Sequence, residues 1–119
     1  MLFADNAVVE FPYAPSVDRP HRLEGKAAIG RYFRGALEIF RDLEFRGLRL
    51  HESVDAGAII AEVHGSATIS TTGRRYEQDY VMFFRVHGGK IVAYREYWNP
   101  IPALRAFEGA ALPTLGAQA

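Results

Sequence analysis

The chain has 119 residues, 49% hydrophobic and 24% charged, with 14 Lys+Arg against 14 Asp+Glu. That composition fits one globular domain, and the absence of a basic excess argues against a nucleic-acid or membrane-surface partner. Cysteine is absent, which excludes disulfides, thiolate metal sites and a Cys nucleophile. No apolar run reaches the roughly 18 residues of a membrane span. Met1 leads straight into LFADNAVVEF without a basic segment or a long apolar core, so a cytoplasmic location is expected.

In chain order, Ala7 to Phe11 is β-branched and aromatic and reads as a strand ended by Pro12. Pro12, Pro15 and Pro20 punctuate a loop. The stripe Ile29, Phe33, Leu37 and Phe40 predicts a helix over about 26–40. Strands follow over 43–52, 58–70, 75–86 and 90–98. They are separated by turn signals at Thr72-Gly73 and Gly88-Gly89. Asn99-Pro100 ends the last strand, and Pro102 to Phe107 suits a short helix. One helix followed by an antiparallel meander is an α+β pattern, with the helix packed on a curved sheet. The domain spans 1–107. Residues 108–119, rich in Ala, Gly and Pro, read as a flexible tail.

Two-residue loops at both hairpins would set the register and place Glu62, His64, Ser66, Thr68, Asp79, Val81, Phe83, Tyr94, Glu96 and Trp98 on one face. Its mixture of aromatic and ionisable side chains suits a concave pocket for a small apolar or aromatic ligand, although a plain solvent-facing side has the same alternation. The other face, with Ala61, Val63, Tyr80, Met82 and Phe84, is nearly continuous apolar surface. One helix cannot cover both faces, so that face is expected to bury itself sheet to sheet in a homodimer.

Three segments, LFADNAVVEFPYAP, RLEGKAAIGRYF and GGKIVAYREYWNP, resemble the SnoaL-like, ketosteroid-isomerase-like group of the nuclear transport factor 2 superfamily. The resemblance covers about 2–107. It implies an α+β cone with a pocket inside a curved sheet, lined at the position of Trp98, and a dimer through the outer sheet face. It also implies a long N-terminal lid helix, and Met1 falls where that helix would already have ended; either the start codon lies upstream, the sequence is a fragment or the lid comes from elsewhere, and as given one side of the pocket is expected to be open. Where the steroid isomerases carry their catalytic Asp, this sequence has Phe11, and Val81 stands at their second acid. Steroid isomerisation is therefore not expected. The motifs are more similar to the phenazine-biosynthesis A/B branch, whose His, hydroxyl and Glu positions match His64, Thr68 and Glu96.

Glu96 is the first catalytic candidate. Among Tyr94, Trp98, Val81 and Phe83 it would lose hydration and act as a general acid/base, or it could simply pair with an Arg. His64 could share its proton across the sheet or be a structural histidine. Asp79 could be a second acid or cap an Arg. Phe11, Tyr13, Glu62, Thr68, Val81, Phe83, Tyr94 and Trp98 are the expected substrate-binding residues. Glu62, His64 and Glu96 have no spacing specific for a metal, and neither metal nor cofactor is expected. The reading is a cofactor-free isomerase, cyclase or dehydratase acting on an apolar cyclic carbonyl or imine compound. The alternatives are a ligand-binding accessory module and a dimeric interaction domain with a vestigial pocket.

Overall fold

β1 (Phe3–Glu10), a 3-10 turn (Ala14–Val17) and β2 (Arg22–Glu24) open the chain in a computed structural model, which describes residues 2–108. They are followed by α1 (Lys26–Ile39), β3 (Phe40–Glu52), β4 (Ala58–Ile69), β5 (Arg75–His87), β6 (Lys90–Trp98) and α2 (Pro100–Ala106). The six strands form one sheet in the order β2-β1-β6-β5-β4-β3. β3 to β6 make the expected antiparallel meander. β1 joins it in parallel against β6, a pairing its residues alone do not announce. The predicted loop after Pro12 contains β2, whose Leu23 is buried beside β1. The predicted tail, except Glu108, lies outside the described residues.

α1 lies where its apolar stripe requires. Ile29 is fully buried against Ala7, Val9 and Leu23, and Phe33 packs on the same cluster with Met82, Phe84 and Trp98. Gly25 starts the helix at φ +90°, a conformation that suits glycine, and no side chain caps that end. Leu37 departs from the expectation and stays 67% exposed. It stands at the rim of a cavity beneath the helix. α2 packs its buried Ala103 and Ala106 with Phe107 against Ile69 and Tyr76, which closes the far end.

The expected β5–β6 turn forms: Gly88 and Gly89 sit at φ +57° and +77°, as a tight two-residue hairpin requires. The register then breaks. Val86 faces Ile91, but Arg85 faces Ala93, so Val92 is an extra residue in β6. Beyond this bulge Tyr94, Glu96 and Trp98 oppose Phe84, Met82 and Tyr80 instead of Phe83, Val81 and Asp79. The other hairpin also differs. Its turn closes with Ile69 N–H donating to the Arg74 carbonyl, so Thr68 faces Arg75 and His64 faces Asp79. That slip of two residues keeps the faces; the bulge, a slip of one, exchanges them.

The face assigned to a pocket is therefore divided between the two sides of the sheet. Tyr94, Glu96 and Trp98 point inward with Tyr80, Met82 and Phe84, under α1. Glu62, His64, Asp79, Val81, Phe83 and Thr68 stand on the outer side, joined by Arg95 and Tyr97. The apolar face expected to meet a second copy, Met82 included, is the inner face packed beneath the helix.

Candidate functional site

A cavity of about 330 Å³ lies between α1, the sheet and α2. α1 contributes Tyr32, Phe33, Ala36 and Leu37, and the sheet contributes Phe45, Tyr76, Tyr80, Glu96 and Trp98. Phe11, just after β1, and Phe107, after α2, close two sides. The walls are built by aromatic packing. The Phe11 and Tyr32 rings lie 4.9 Å apart, Phe84 and Tyr94 4.9 Å, and Phe40 and Tyr76 5.6 Å. Gly65 on β4 makes room for two of these rings: a Cβ there would stand 2.9 Å from Tyr80 and 3.1 Å from Phe45. Phe45, 56% exposed, borders the open side with Leu37.

Glu96 is the one carboxyl group among the residues lining this cavity. It retains partial accessibility, as a group lining a cavity must. The Tyr94 hydroxyl donates to its Oε1 at 2.7 Å. Loss of hydration pushes the Glu96 carboxyl up to about 7, and the Tyr94 hydrogen bond, which favours the anion, offsets only part of that rise. Around it the phenols of Tyr32, Tyr80 and Tyr94 are held well above the ordinary tyrosine value, chiefly by burial, with the nearby Glu96 charge adding to the rise in each. They remain protonated donors. The Tyr76 oxygen accepts from Gln78 Nε2 at 3.0 Å. The cavity thus combines a carboxyl group poised between acid and base with phenolic donors fixed in aromatic walls.

His64 has a different setting. Its Nδ1 lies 2.8 Å from Asp79 and its Nε2 2.8 Å from Glu77, both on the outer side. These two carboxylates, Glu77 first, raise the imidazole above its ordinary value, and His64 in turn lowers Glu77. Glu62 accepts from Arg49 at 3.0 Å and meets His51 at 2.7 Å on the same side. Thr68 accepts from Arg75 at 3.0 Å. Arg95 lies 5.0 Å above the Phe83 ring and 5.8 Å from Tyr97, whose other neighbour is Tyr13. Both ring nitrogens of His64 are committed to surface ion pairs, and the backbone layer separates them from Glu96. The trio Glu62, His64 and Glu96 does not converge.

Of the expected site residues, Glu96, Tyr94, Trp98 and Phe11 are therefore brought together, with Tyr94 supporting Glu96 from within the wall. Glu62, His64, Asp79 and Val81 instead line a separate depression on the outer side with Arg46 and Arg49, and Thr68, Phe83 and Tyr13 join neither group. The sequence reading missed Tyr32, Tyr76, Tyr80 and Arg19. Tyr32 adjoins Phe33 on the helix stripe, a signal that was available. The expected register sets Tyr80 on the face opposite Glu96 and Trp98, and the bulge in β6 brings it to their side.

The family model described as a SnoaL-like domain matches residues 1–94. YesE of Bacillus subtilis is 39% identical over 113 residues, covering 95% of this chain and 76% of that protein. A PhzA/B-like protein of Pseudomonas aeruginosa is 34% identical over 91% of this chain and 75% of its own length. The chain thus spans about three quarters of these relatives. The crystal structure of a Bacillus subtilis protein provisionally called an isomerase superposes with a TM-score of 0.85 at 39% identity, over 94% of this chain and 80% of that one. More distant structures share the fold alone, among them a protein of ketosteroid-isomerase-like fold and an epoxide hydrolase/cyclase-like enzyme, at 12% and 21% identity.

Proposed function

The chain belongs to the SnoaL-like family, and we propose that it is a cofactor-free acid/base catalyst for an apolar, ring-containing carbonyl or imine compound, with Glu96 moving the proton. One observation carries the reading: Glu96 lines an aromatic cavity and its carboxyl is raised to about 7 by loss of water. A group with that value offers both protonation states at neutral pH, the condition under which one carboxyl can take a proton from carbon and return it. Aromatic walls hold the ring of the ligand, and the protonated phenols can donate to a carbonyl oxygen as negative charge develops on it. A single titrating group suffices for an isomerisation or enolisation. The provisional naming of the Bacillus relative as an isomerase agrees with that class.

The test needs no knowledge of the natural substrate. Exchange of the α-hydrogens of 2-tetralone for deuterium, followed by NMR in D₂O, reports proton abstraction from a bicyclic ketone. The native protein is expected to accelerate it, and Glu96→Gln to lose about 10²–10⁴-fold of that acceleration. Equal rates in the two proteins would remove Glu96 from the mechanism. Retained ligand binding without exchange in the native protein would favour the binding-module alternative.

A further inference from the structure

Arg19 lines the same cavity as Glu96, and its Nε is buried without a hydrogen-bond partner. Among the described residues no carboxylate lies within 4.0 Å of its guanidinium, and the adjacent Asp18 faces solvent. Several other arginines also lack a carboxylate partner, and the Arg95 Nε on the outer side is likewise buried without a hydrogen bond, but among the residues lining the cavity Arg19 is the one cation. The placement of Arg19 is built into the chain. The 3-10 turn ends at Asp18, which adopts the left-handed conformation at φ +61°. Arg19 N–H then donates back to the Ala14 carbonyl at 3.0 Å, and Pro20 restricts the backbone immediately after it. A non-glycine residue held in that conformation fixes the direction in which Arg19 leaves the turn. The Tyr32 hydroxyl feels both the Arg19 cation and Glu96, so the two charged groups share one enclosure.

A guanidinium remains charged at any working pH and presents a planar fork of donors. Leaving such a donor unmade in a low-water site is costly unless something else occupies it. We propose that Arg19 is a specificity-determining residue: it receives an anionic oxygen group, a carboxylate, carried by the ring compound whose body fills the aromatic cavity. This rests on the cavity being a ligand site, as proposed above, but not on Glu96 turning anything over. The substrate class becomes an apolar ring acid, oriented with its carboxylate on Arg19 and its reacting atoms towards Glu96. A neutral compound of the same shape would leave the guanidinium unpaired.

The test is direct binding, read by Trp98 fluorescence and checked by calorimetry, with 2-naphthoate and its neutral counterpart 2-naphthamide as probes. At pH 6 the naphthoate is ionised while Glu96 is mostly protonated. The native protein is expected to prefer the naphthoate by about ten- to hundredfold, the range of one charge-assisted hydrogen-bonded pair. Arg19→Gln should abolish the preference by weakening naphthoate far more than naphthamide. Arg19→Lys should restore part of it, which a merely structural role for Arg19 would not do. Binding of both probes without preference in the native protein, or a preference surviving in Arg19→Gln, would overturn the Arg19 assignment and leave the cavity reading intact. Failure of both probes to bind would overturn the cavity reading as well.

Discussion

The inner and outer sides of the sheet carry the same kinds of residue to opposite ends. Inside, Glu96 has a single hydrogen bond from Tyr94 and aromatic walls, and its carboxyl rises to about 7. Outside, His64 has a carboxylate on each ring nitrogen and open water beyond. Both shifts favour the protonated form near neutrality, but their causes differ. Burial raises Glu96 by opposing its charge, whereas ion pairing raises His64 by stabilising its charge. Only the first leaves a group under-solvated and chemically available. The comparison teaches that environment, not residue type, separates a catalytic candidate from a surface ion pair.

The largest effect should come from the inner side: the Glu96→Gln loss of about 10²–10⁴-fold in proton exchange set out above. Stability sharpens the contrast next. The folded value of Glu96 lies above its unfolded one, so its contribution is fully present below about 4.5 and is lost as pH rises through about 7. Between those limits the unfolded chain releases a proton that the folded chain keeps, so unfolding free energy must fall with pH. The native protein should lose about 3 kcal/mol relative to Glu96→Gln over that interval. Urea unfolding of both proteins at matched pH values would measure it, and parallel curves would break the comparison.

Gly65→Ala probes the walls. Its Cβ would press on Tyr80 and Phe45, so a destabilisation of about 1–3 kcal/mol is expected, together with weaker ligand binding as the rings are driven into the cavity. Unchanged thermal stability and affinity would show that the rings yield freely. The smallest effect belongs outside. His64→Gln should leave the exchange rate within about twofold, since surface ion pairs contribute little and this one lies across the backbone from the cavity. A large loss of exchange in that variant would show that the outer side takes part in the chemistry.

Much of the fold was legible. The stripe Ile29–Phe33, the Gly88-Gly89 hairpin and the alternating strands lead to α+β and to a sheet covered by one helix, because periodicity and turn chemistry are local properties. The candidate site was legible only in part. Glu96, Trp98 and Phe11 reach the cavity, but His64 and Asp79 do not. The reason is Val92. One unpaired residue in β6 rotates everything after it by half a period, and no side chain in IVAYREYW signals it. Arg19 has no signal of its own: nothing in a loop arginine between Asp18 and Pro20 announces the left-handed turn that sets it at the cavity.

The most direct test is the titration of Glu96 itself. Carbon-13 NMR of protein labelled at the glutamate carboxyl would follow it, with the resonance assigned by its absence in Glu96→Gln. A midpoint near 7, moving higher in Tyr94→Phe as the hydrogen bond to the anion is removed, is the predicted result. A midpoint at the ordinary glutamate value of about 4.3 would contradict the account, because the carboxyl would then be as well hydrated as any on the outer side.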